Sequence, residues 1–185
     1  MRSVVRENVA EHSYHVAILA HALASISNRV FKKSVPMDEV VSLALLHDAT
    51  EVFTGDIPTP VKHHNAAILA NFREIEHIAA ARLVSMVPDP LRDDYEKLLL
   101  KNEQVSTEAI RLVKAADLLD AYLKCESELS AGNREFARAK EETRRNLMAL
   151  DMPEVAYFLR ELAPAFASSL DELEQNDPQN DSQTH

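Results

Sequence analysis

The sequence predicts an all-α fold, a bundle of about seven helices, because apolar residues recur at three- and four-residue steps over most of the chain. Only two of the 185 residues are glycine, which argues against a β architecture with many tight turns. The length and the 46% of hydrophobic residues suffice for one buried core. We therefore expect one domain over residues 1–173, followed by a disordered acidic tail over residues 174–185.

The first predicted helix begins at Asn8 and reaches about Ser27. Asn8 and Glu11 have the spacing of a capping box, in which two side chains satisfy backbone N–H groups at the helix start. The apolar stripe that follows has one polar member, His12, on the face that is expected to turn toward the core.

The second predicted helix runs from Pro36, which suits the first helical position, to Gly55, which can adopt the positive φ that ends a helix. One face of this helix is lined by Val40, Ala44, His47 and Glu51. The following segment, residues 56–60, is predicted not to be helical, because its two prolines push their predecessors toward extended conformations.

The remaining helices are predicted from the same start and stop signals. A third helix begins at Asn65 and stops near Pro88. Its apolar residues are Ile68, Phe72, Ile75, Ile78 and Leu83. The other expected helices are residues 91–100, a helix capped by Ser106 or Thr107 and closed by Gly132, residues 134–150, and residues 153–173 with an interruption near Pro164.

The composition excludes several classes of function. The formal net charge of −10 argues against a protein that binds polymeric nucleic acid, because affinity for the phosphate backbone depends on Lys and Arg. The scarcity of glycine excludes a Gly-rich dinucleotide loop and a P-loop. No apolar run approaches the roughly 20 residues of a membrane span, and the single cysteine, Cys125, suits a reducing compartment. We therefore expect a cytoplasmic protein with no membrane partner.

Three predicted helices place a polar group inside an apolar stripe. These groups are His12, the doublet His47-Asp48, and Asp117. Taken singly, each has a simpler interpretation: a hydrogen-bonded core histidine, a helix edge that reaches solvent, or a salt bridge to Lys114. An ionised carboxylate is nevertheless costly to bury unless it is paired or bound to a metal. Together the four side chains form a nitrogen and oxygen ligand set that suits Mn²⁺, Co²⁺, Fe²⁺ or Zn²⁺.

The same residues carry a resemblance to a known family. The chain is similar to the bacterial HD-domain 5′-deoxynucleotidases, members of the HD superfamily of metal-dependent phosphohydrolases. The similarity extends from about Arg6 to Leu173 and rests on residues 7–13 (ENVAEHS), 47–52 (HDATEV), 54–62 (TGDIPTPVK), 114–117 (KAAD) and 121–125 (AYLKC). The doublet alone is weak evidence, whereas the ordered set with its Gly-Asp-Ile-Pro-Thr-Pro loop is specific.

The resemblance implies a phosphomonoesterase that converts deoxyribonucleoside 5′-monophosphates to nucleoside and phosphate. It implies one divalent metal bound by His12, His47, Asp48 and Asp117, with cobalt, manganese or copper more effective than magnesium. It also implies a homodimer. The three metal ligands His12, Asp48 and Asp117 would contact the substrate as well, and Asp48 would also be a catalytic residue.

The resemblance also suggests which residues act on the substrate. Glu51 lies four residues after His47, so on a helix it projects from the same face and can act as general base or general acid. Asp56, also a catalytic candidate, could protonate the leaving oxygen or hold the sugar. The loop continues with further candidate substrate contacts, and a plain surface turn is the simpler interpretation of these: Ile57, Pro58, Thr59 and Lys62. Lys62 is a candidate cation for the phosphate.

The sequence departs from the family at its start. Members carry a further N-terminal segment with an Arg-Trp pair, in which Arg orients the phosphate and Trp packs beneath the sugar. This chain contains no tryptophan, so we expect that the family's N-terminal segment is missing and that selection of deoxyribose over ribose is altered.

Two other functions remain open at this stage. One is an HD hydrolase of guanosine tetraphosphate or a cyclic dinucleotide. Against a guanosine tetraphosphate hydrolase, Glu51-Val52 stands where that group has a Glu-Asp pair. Against a cyclic dinucleotide hydrolase, the Gly-Tyr-Pro motif of that group is absent. The other is a non-catalytic nucleotide-binding module with a vestigial metal site.

The neighbouring His63 and His64 could hold a second ion, although polar surface is the simpler interpretation.

Overall fold

The computed structural model describes Ser3, residues 7–57, residues 59–62 and residues 64–167, with only the backbone described for Thr59, Pro60 and Ala167. Within these ranges the regular structure is helical and contains no strand, which confirms the predicted all-α fold. In chain order the helices are α1 (Val9–Arg29), α2 (Met37–Leu46), α3 (Glu51–Thr54), α4 (Thr59–Lys62), α5 (Ala66–Ser85), α6 (Asp89–Leu100), α7 (Thr107–Ser130), a 3₁₀ turn (Arg134–Phe136), α8 (Ala137–Ala149), α9 (Pro153–Glu161) and α10 (Ala163–Ala167).

The described chain divides into two compact units. One comprises residues 7–117, and the other comprises residues 118–167 together with Ser3. A single domain over residues 1–173 stays a prediction, and the acidic tail lies outside the described residues. No helix in the described part of the chain is long and apolar enough to cross a membrane.

In the first unit, α1 packs against α2, and α6 packs against both α2 and α5. The predicted capping box is present, because Asn8 accepts hydrogen bonds from backbone N–H groups of the first turn and Glu11 accepts one from the Asn8 N–H. The core of this unit is apolar, and its side chains with no exposure include Val16, Ala20, Leu23, Val40, Ala44, Ala109 and Leu112. Helix α7 is capped by Ser106, whose hydroxyl accepts from the Ala109 N–H.

The second predicted helix is broken, and the expectation that it continues to Gly55 is wrong. Helix α2 ends at Leu46, and residues 47–50 form turns that lead into the short α3. The His47 imidazole donates to the Ala44 carbonyl at 2.7 Å, taking the acceptor that a continued α-helix would offer to the Asp48 N–H. The glycine itself behaves as predicted, with a φ of 67° at the end of α3.

The loop after this glycine contains one turn of helix that the sequence analysis did not predict. Thr59 and Pro60 begin α4, so the expectation that residues 56–60 are entirely non-helical is wrong for these two. A proline is acceptable in the first turn of a helix, where its missing N–H would have no intrahelical acceptor. Pro58 lies outside the described residues.

The apolar stripe of α5 is only partly buried. The buried residues of α5 are Ala79, Ala80 and Val84, whereas the side chains of Ile75 and Ile78 are 46% and 60% exposed. The elements of this unit that pack on α5 include α6 and the two four-residue helices α3 and α4. Short helices cannot cover the whole stripe of a 20-residue helix, and this leaves apolar surface open beside them.

The second unit is built around buried apolar side chains from its successive helices, including Phe136, Leu147, Val155 and Phe158. Gly132 closes α7 with a φ of 86°, as predicted. The predicted interruption of the last helix is also present, since α9 ends at Glu161 and α10 begins at Ala163, next to Pro164.

One carboxylate joins three elements of the first unit and is expected to contribute to its stability. Glu39, in the first turn of α2, forms an ion pair with Lys97 of α6 and accepts a hydrogen bond of 2.8 Å from the backbone N–H of Ser106, before α7. Burial alone would raise the pKa of Glu39, but these two contacts outweigh it and lower the pKa below its ordinary value. The group therefore stabilises the folded state in its ionised form.

We expect Glu39→Ala to lower the free energy of unfolding by about 1–3 kcal/mol near neutral pH, because the Ser106 N–H loses its acceptor. Because the folded pKa is depressed, this contribution is complete above the unfolded value of about 4.3 and disappears as the pH falls through the folded pKa. Urea unfolding at several pH values measures the difference in free energy of unfolding between Glu39→Ala and the wild-type protein. Glu74→Ala, at an exposed position of α5, is the control. A Glu39→Ala cost equal to that of the control would contradict the prediction.

Candidate functional site

Three side chains from three helical segments of the first unit converge at one point. The nearest ligand atoms of His12 in α1, His47 after α2 and Asp117 in α7 all lie within 4.8 Å of one another. The His12 Nε2 atom is 3.3 Å from Asp117 Oδ1 and 3.6 Å from Asp48 Oδ2, and His47 Nε2 is 3.1 Å from Asp48 Oδ2. The structure therefore brings together the four residues that the sequence analysis proposed as metal ligands.

The protonation of His47 tests whether this group suits a metal ion. Its Nδ1 donates to the Ala44 carbonyl, so in the neutral ring Nε2 carries a lone pair. That Nε2 is buried, makes no hydrogen bond within the described residues, and faces the Asp48 carboxylate, which is itself an acceptor. Two acceptors at this distance are stabilised by a cation between them, either a proton on Nε2 or a metal ion. A divalent ion fits this requirement, and the backbone contact to Nδ1 orients the ring for it.

The electrostatics of the doublet show how strongly its two groups interact. Burial alone would lower the pKa of His47, but contact with the Asp48 carboxylate outweighs burial and raises it. Burial alone would raise the pKa of Asp48, whereas the neighbouring His47 and His12 lower it, with a smaller contribution from Lys101. Asp48 is therefore held as an anion, the form in which a carboxylate binds a metal.

Asp117 lies in a more open setting than its apolar sequence neighbours suggest. Its side chain is 52% exposed, and it contacts His12. The apolar surroundings predicted for Asp117 from its sequence neighbours are wrong. The reason is that this turn of α7 meets the imidazole of α1 at the rim of the core, where solvent reaches the carboxylate. Because solvent reaches Asp117, there is space for a substrate beside this candidate metal ligand.

Glu51 begins α3, directly after the turn that carries the doublet. Burial raises the pKa of Glu51 above its ordinary value, and the carboxylates of Asp48 and Asp56 raise it further. A carboxyl group with a raised pKa exchanges a proton more readily near neutral pH, as a general acid or base requires. Glu51 interacts electrostatically with both histidines of the group as well as with Asp48, so the three-residue turn after His47 keeps it beside the candidate metal ligands.

A cleft lies beside Glu51 and extends to α5. Its walls are Glu51, Thr54, Gly55, Ile57, Lys62, Phe72, Ile75 and Glu76. Two predicted substrate contacts, Ile57 and Lys62, line this cleft, and the exposed Asp56 lies between Gly55 and Ile57. The side chains of Pro58 and Thr59 lie outside the described part, and so does His63.

Lys62 has a partner that the sequence did not indicate. Its ammonium forms an ion pair with Glu76 of α5, so its charge is compensated within the cleft. As a cation for the phosphate, Lys62 would first have to leave this carboxylate. Its proposed role as a phosphate ligand stays a prediction.

Lys101 and the α5 side of the cleft were not predicted from the sequence. Lys101 follows α6 in the left-handed region with a φ of 49°, and it interacts electrostatically with Asp48. A lone lysine in a loop carries no motif. On α5 the signal was present in the apolar residues Phe72 and Ile75, but a helical stripe alone does not distinguish a buried face from the wall of a cleft.

The chain matches known proteins over most of its length. A model of the family described as "5′-deoxynucleotidase YfbR-like" matches residues 1–166. The chain belongs to this family. It is 47% identical to a 5′-deoxynucleotidase of Pectobacterium atrosepticum and 49% identical to one of Enterobacter sp., in each case over 96% of this chain and 89% of the relative. The predicted resemblance to the HD-domain 5′-deoxynucleotidases is thereby confirmed.

Solved structures show the same fold as this YfbR-like 5′-deoxynucleotidase. An HD-domain phosphohydrolase from Listeria innocua superimposes with a TM-score of 0.76 at 26% identity, over 98% of this chain and 87% of that one. The Pyrococcus horikoshii protein PH0347 has a TM-score of 0.63 at 19% identity, over 88% and 84% of the two chains, and shows the fold alone. The HD phosphohydrolase fold implies a divalent metal, and the His12, His47 and Asp117 group is suited to hold one.

Proposed function

We propose that this protein is a metal-dependent phosphomonoesterase that hydrolyses deoxyribonucleoside 5′-monophosphates to nucleoside and phosphate. Its relatives in Pectobacterium atrosepticum and Enterobacter sp. are 5′-deoxynucleotidases, which supports this reaction. The observation that carries the proposal is the contact of the buried His47 Nε2 with the Asp48 carboxylate, beside His12 and Asp117. No motif or cluster in the described residues favours a different phosphoester.

The ligands of the ion would be His12, His47, Asp48 and Asp117, and the ion would be Co²⁺, Mn²⁺, Cu²⁺, Fe²⁺ or Zn²⁺, which imidazole and carboxylate ligands suit. A divalent ion bound there supplies a Lewis acid that stabilises negative charge on the phosphoryl group and makes a water easier to deprotonate. His12, Asp48 and Asp117 would also lie against the phosphate.

The protein's own side chains would move the protons. As the oxygen of water bonds to phosphorus, Glu51 takes a proton from that water, and its raised pKa favours this transfer. As the bond between phosphorus and the 5′ oxygen breaks, that oxygen gains a proton, delivered by Glu51 or by Asp56. The loop residues Ile57, Pro58 and Thr59 would hold the sugar above the site.

A phosphate-release assay tests the reaction. Chelator-stripped protein is supplied with Co²⁺ or Mn²⁺ and given dAMP, AMP, a cyclic dinucleotide or guanosine tetraphosphate. We expect phosphate from the 5′-monophosphates alone. Turnover confined to the cyclic dinucleotide or the tetraphosphate would replace the proposal with another HD hydrolase. No turnover despite bound metal would favour a non-catalytic nucleotide-binding module.

We also infer a cytoplasmic homodimer. The family resemblance supports the dimer, and a single cysteine, Cys125, buried and without a disulfide, supports a reducing compartment. Light scattering of the purified chain should give twice the monomer mass of 20.7 kDa. A mass equal to that of one chain would contradict the dimer.

A further inference from the structure

We propose that Lys101 and Lys114 bind the phosphate group of the substrate on the open side of the candidate metal ligands, where Asp117 is exposed. This inference rests on the proposed function, since it assumes a phosphorylated substrate. It assigns a binding role to two lysines for which the sequence predicted none: Lys114 was expected only as a salt-bridge partner of Asp117.

Lys101 lies directly after α6, near the candidate metal ligands. Helix α6 packs on α2 and α5, and the ion pair between Lys97 and Glu39 fastens its last turn to α2. Lys101 comes one turn after Lys97, with a φ of 49°. Its ammonium interacts electrostatically with Asp48 and with Glu76 of α5. The end of α6 therefore holds a cation close to the ligand carboxylate.

Lys114 reaches the same place from α7. It lies one turn before Asp117, and residues three apart on a helix are neighbours on its surface. Both residues are exposed, and in the described part of the chain the Asp117 carboxylate pairs with His12 and not with Lys114. Lys114 and Lys101 repel each other, so their ammonium groups are near enough to share one anion.

The surroundings of Lys101 favour a bound anion. Its side chain is exposed, yet the protein around it desolvates the ammonium and lowers the pKa of Lys101, and this effect outweighs the attraction of Asp48 and Glu76. Repulsion from Lys114 and Lys62 lowers the pKa further. An exposed ammonium that is partly desolvated lines a recess, and there an anion gives it a stronger hydrogen bond than water does.

Once a divalent ion is bound, these two lysines are the cations of the site that lack a carboxylate partner. The ion compensates the carboxylates among its ligands, so Asp48 no longer neutralises Lys101. Lys62 is already paired with Glu76. Lys101 and Lys114 form no ion pair with the residues that the structure describes, and a phosphate monoester dianion carries the two charges that would match theirs.

The acidic character of the protein makes a local pair of cations important for phosphate binding. The formal net charge is −10, and the carboxylates of Glu51 and Asp56 lie close to each other beside the candidate metal ligands. Both would repel a phosphate dianion. Lys101 and Lys114 offset this repulsion from two different helices, so they can also fix the orientation of the phosphate.

Binding of inorganic phosphate gives a test that does not depend on catalysis. By equilibrium dialysis of the Co²⁺-loaded protein, Lys101→Gln and Lys114→Gln should each weaken phosphate binding by about tenfold, the loss expected for one charge-assisted hydrogen bond. Cobalt content should stay that of the wild-type protein, because neither lysine is a proposed ligand. Unchanged phosphate affinity in either variant would overturn the inference.

The chain offers a matched control in Lys32. This lysine is also exposed and also has a positive φ, of 56°, but it follows α1 at the end far from His12. Lys32→Gln should bind phosphate as the wild-type protein does. An equal loss in Lys32→Gln would show that the overall charge of the protein, and not a site, controls phosphate binding, and would overturn the inference.

Kinetics and stability separate a binding role from a structural one. Each Gln variant should raise KM for dAMP by about tenfold and leave kcat within about twofold, because the contact is made equally in the ground and transition states. Lys101→Arg should recover most of the KM. Glycine adopts positive φ readily, so Lys101→Gly should keep the melting temperature while losing phosphate affinity. A loss of melting temperature and kcat together would show a structural role and overturn the inference.

The two proposals fail in different ways. If the wild-type protein releases no phosphate from dAMP but binds inorganic phosphate through Lys101 and Lys114, the anion site stands and the proposed reaction is wrong. If dAMP is hydrolysed while both Gln variants bind phosphate as the wild-type protein does, the reaction stands and other groups hold the phosphate.

Discussion

Glu51→Gln should reduce phosphate release from dAMP by about 10²–10⁴-fold, the usual contribution of a general acid or base. The amide has nearly the same shape as the carboxyl group but cannot accept the proton of water at any ordinary pH. Because Glu51 is not among the four residues whose ligand atoms converge, metal content should remain that of the wild-type protein. Metal analysis beside the phosphate assay checks both parts of the prediction.

The matched control for this variant is Glu74→Gln, which removes an exposed carboxylate of α5 and should leave the rate unchanged. If Glu51→Gln lost its metal along with its activity, Glu51 would be a ligand and not the proton carrier. If the variant kept more than about a tenth of the wild-type rate, a different group would have to carry the proton.

His47→Ala should abolish stable metal binding and, with it, activity. The imidazole supplies the most buried donor atom of the group, and its orientation is set by the hydrogen bond to the Ala44 carbonyl. Since weakening even an outer partner of a metal ligand costs about 10–100-fold in affinity, removal of the ligand itself should cost at least that much. Titration with Co²⁺ followed by its visible absorption measures the affinity.

Thermal unfolding is an independent test of the predicted loss of metal binding in His47→Ala. An ion present at about 100 times its dissociation constant stabilises the folded state by about 2.7 kcal/mol, so Co²⁺ should raise the melting temperature of the wild-type protein. The rise should disappear in His47→Ala and persist in His77→Ala, which alters an exposed histidine of α5. An undiminished Co²⁺ response in His47→Ala would show that the ion binds elsewhere.

Much of the site could be predicted because its residues conflict with their own helices. His12 and the His47-Asp48 doublet interrupt apolar stripes, and polar side chains in such positions need a partner or a metal. The capping box at Asn8 and the positive φ at Gly55 were also predictable, since both depend on neighbouring residues. The family motifs then related the separate anomalies to one reaction.

Three features could not be predicted, because each depends on contacts between segments that are distant in sequence or on competition for one atom. At the break after Leu46 the His47 ring donates to the Ala44 carbonyl, a contact that helix propensity does not predict. The pairing of Lys62 with Glu76 joins two helices. The exposure of Ile75 follows from the shortness of the helices that pack on α5.

The sequence by itself determined that the chain is helical, that it belongs to the YfbR-like 5′-deoxynucleotidase family, and which four side chains were candidates for metal ligands. Periodicity, capping and motif order are local properties, and they can be recognised without coordinates. Only the tertiary structure decided that His47 Nε2 faces an acceptor, that Glu51 is partly buried beside Asp48, and that α5 presents an open apolar wall. Burial and the direction of a lone pair depend on what packs nearby, and packing is set by the whole fold.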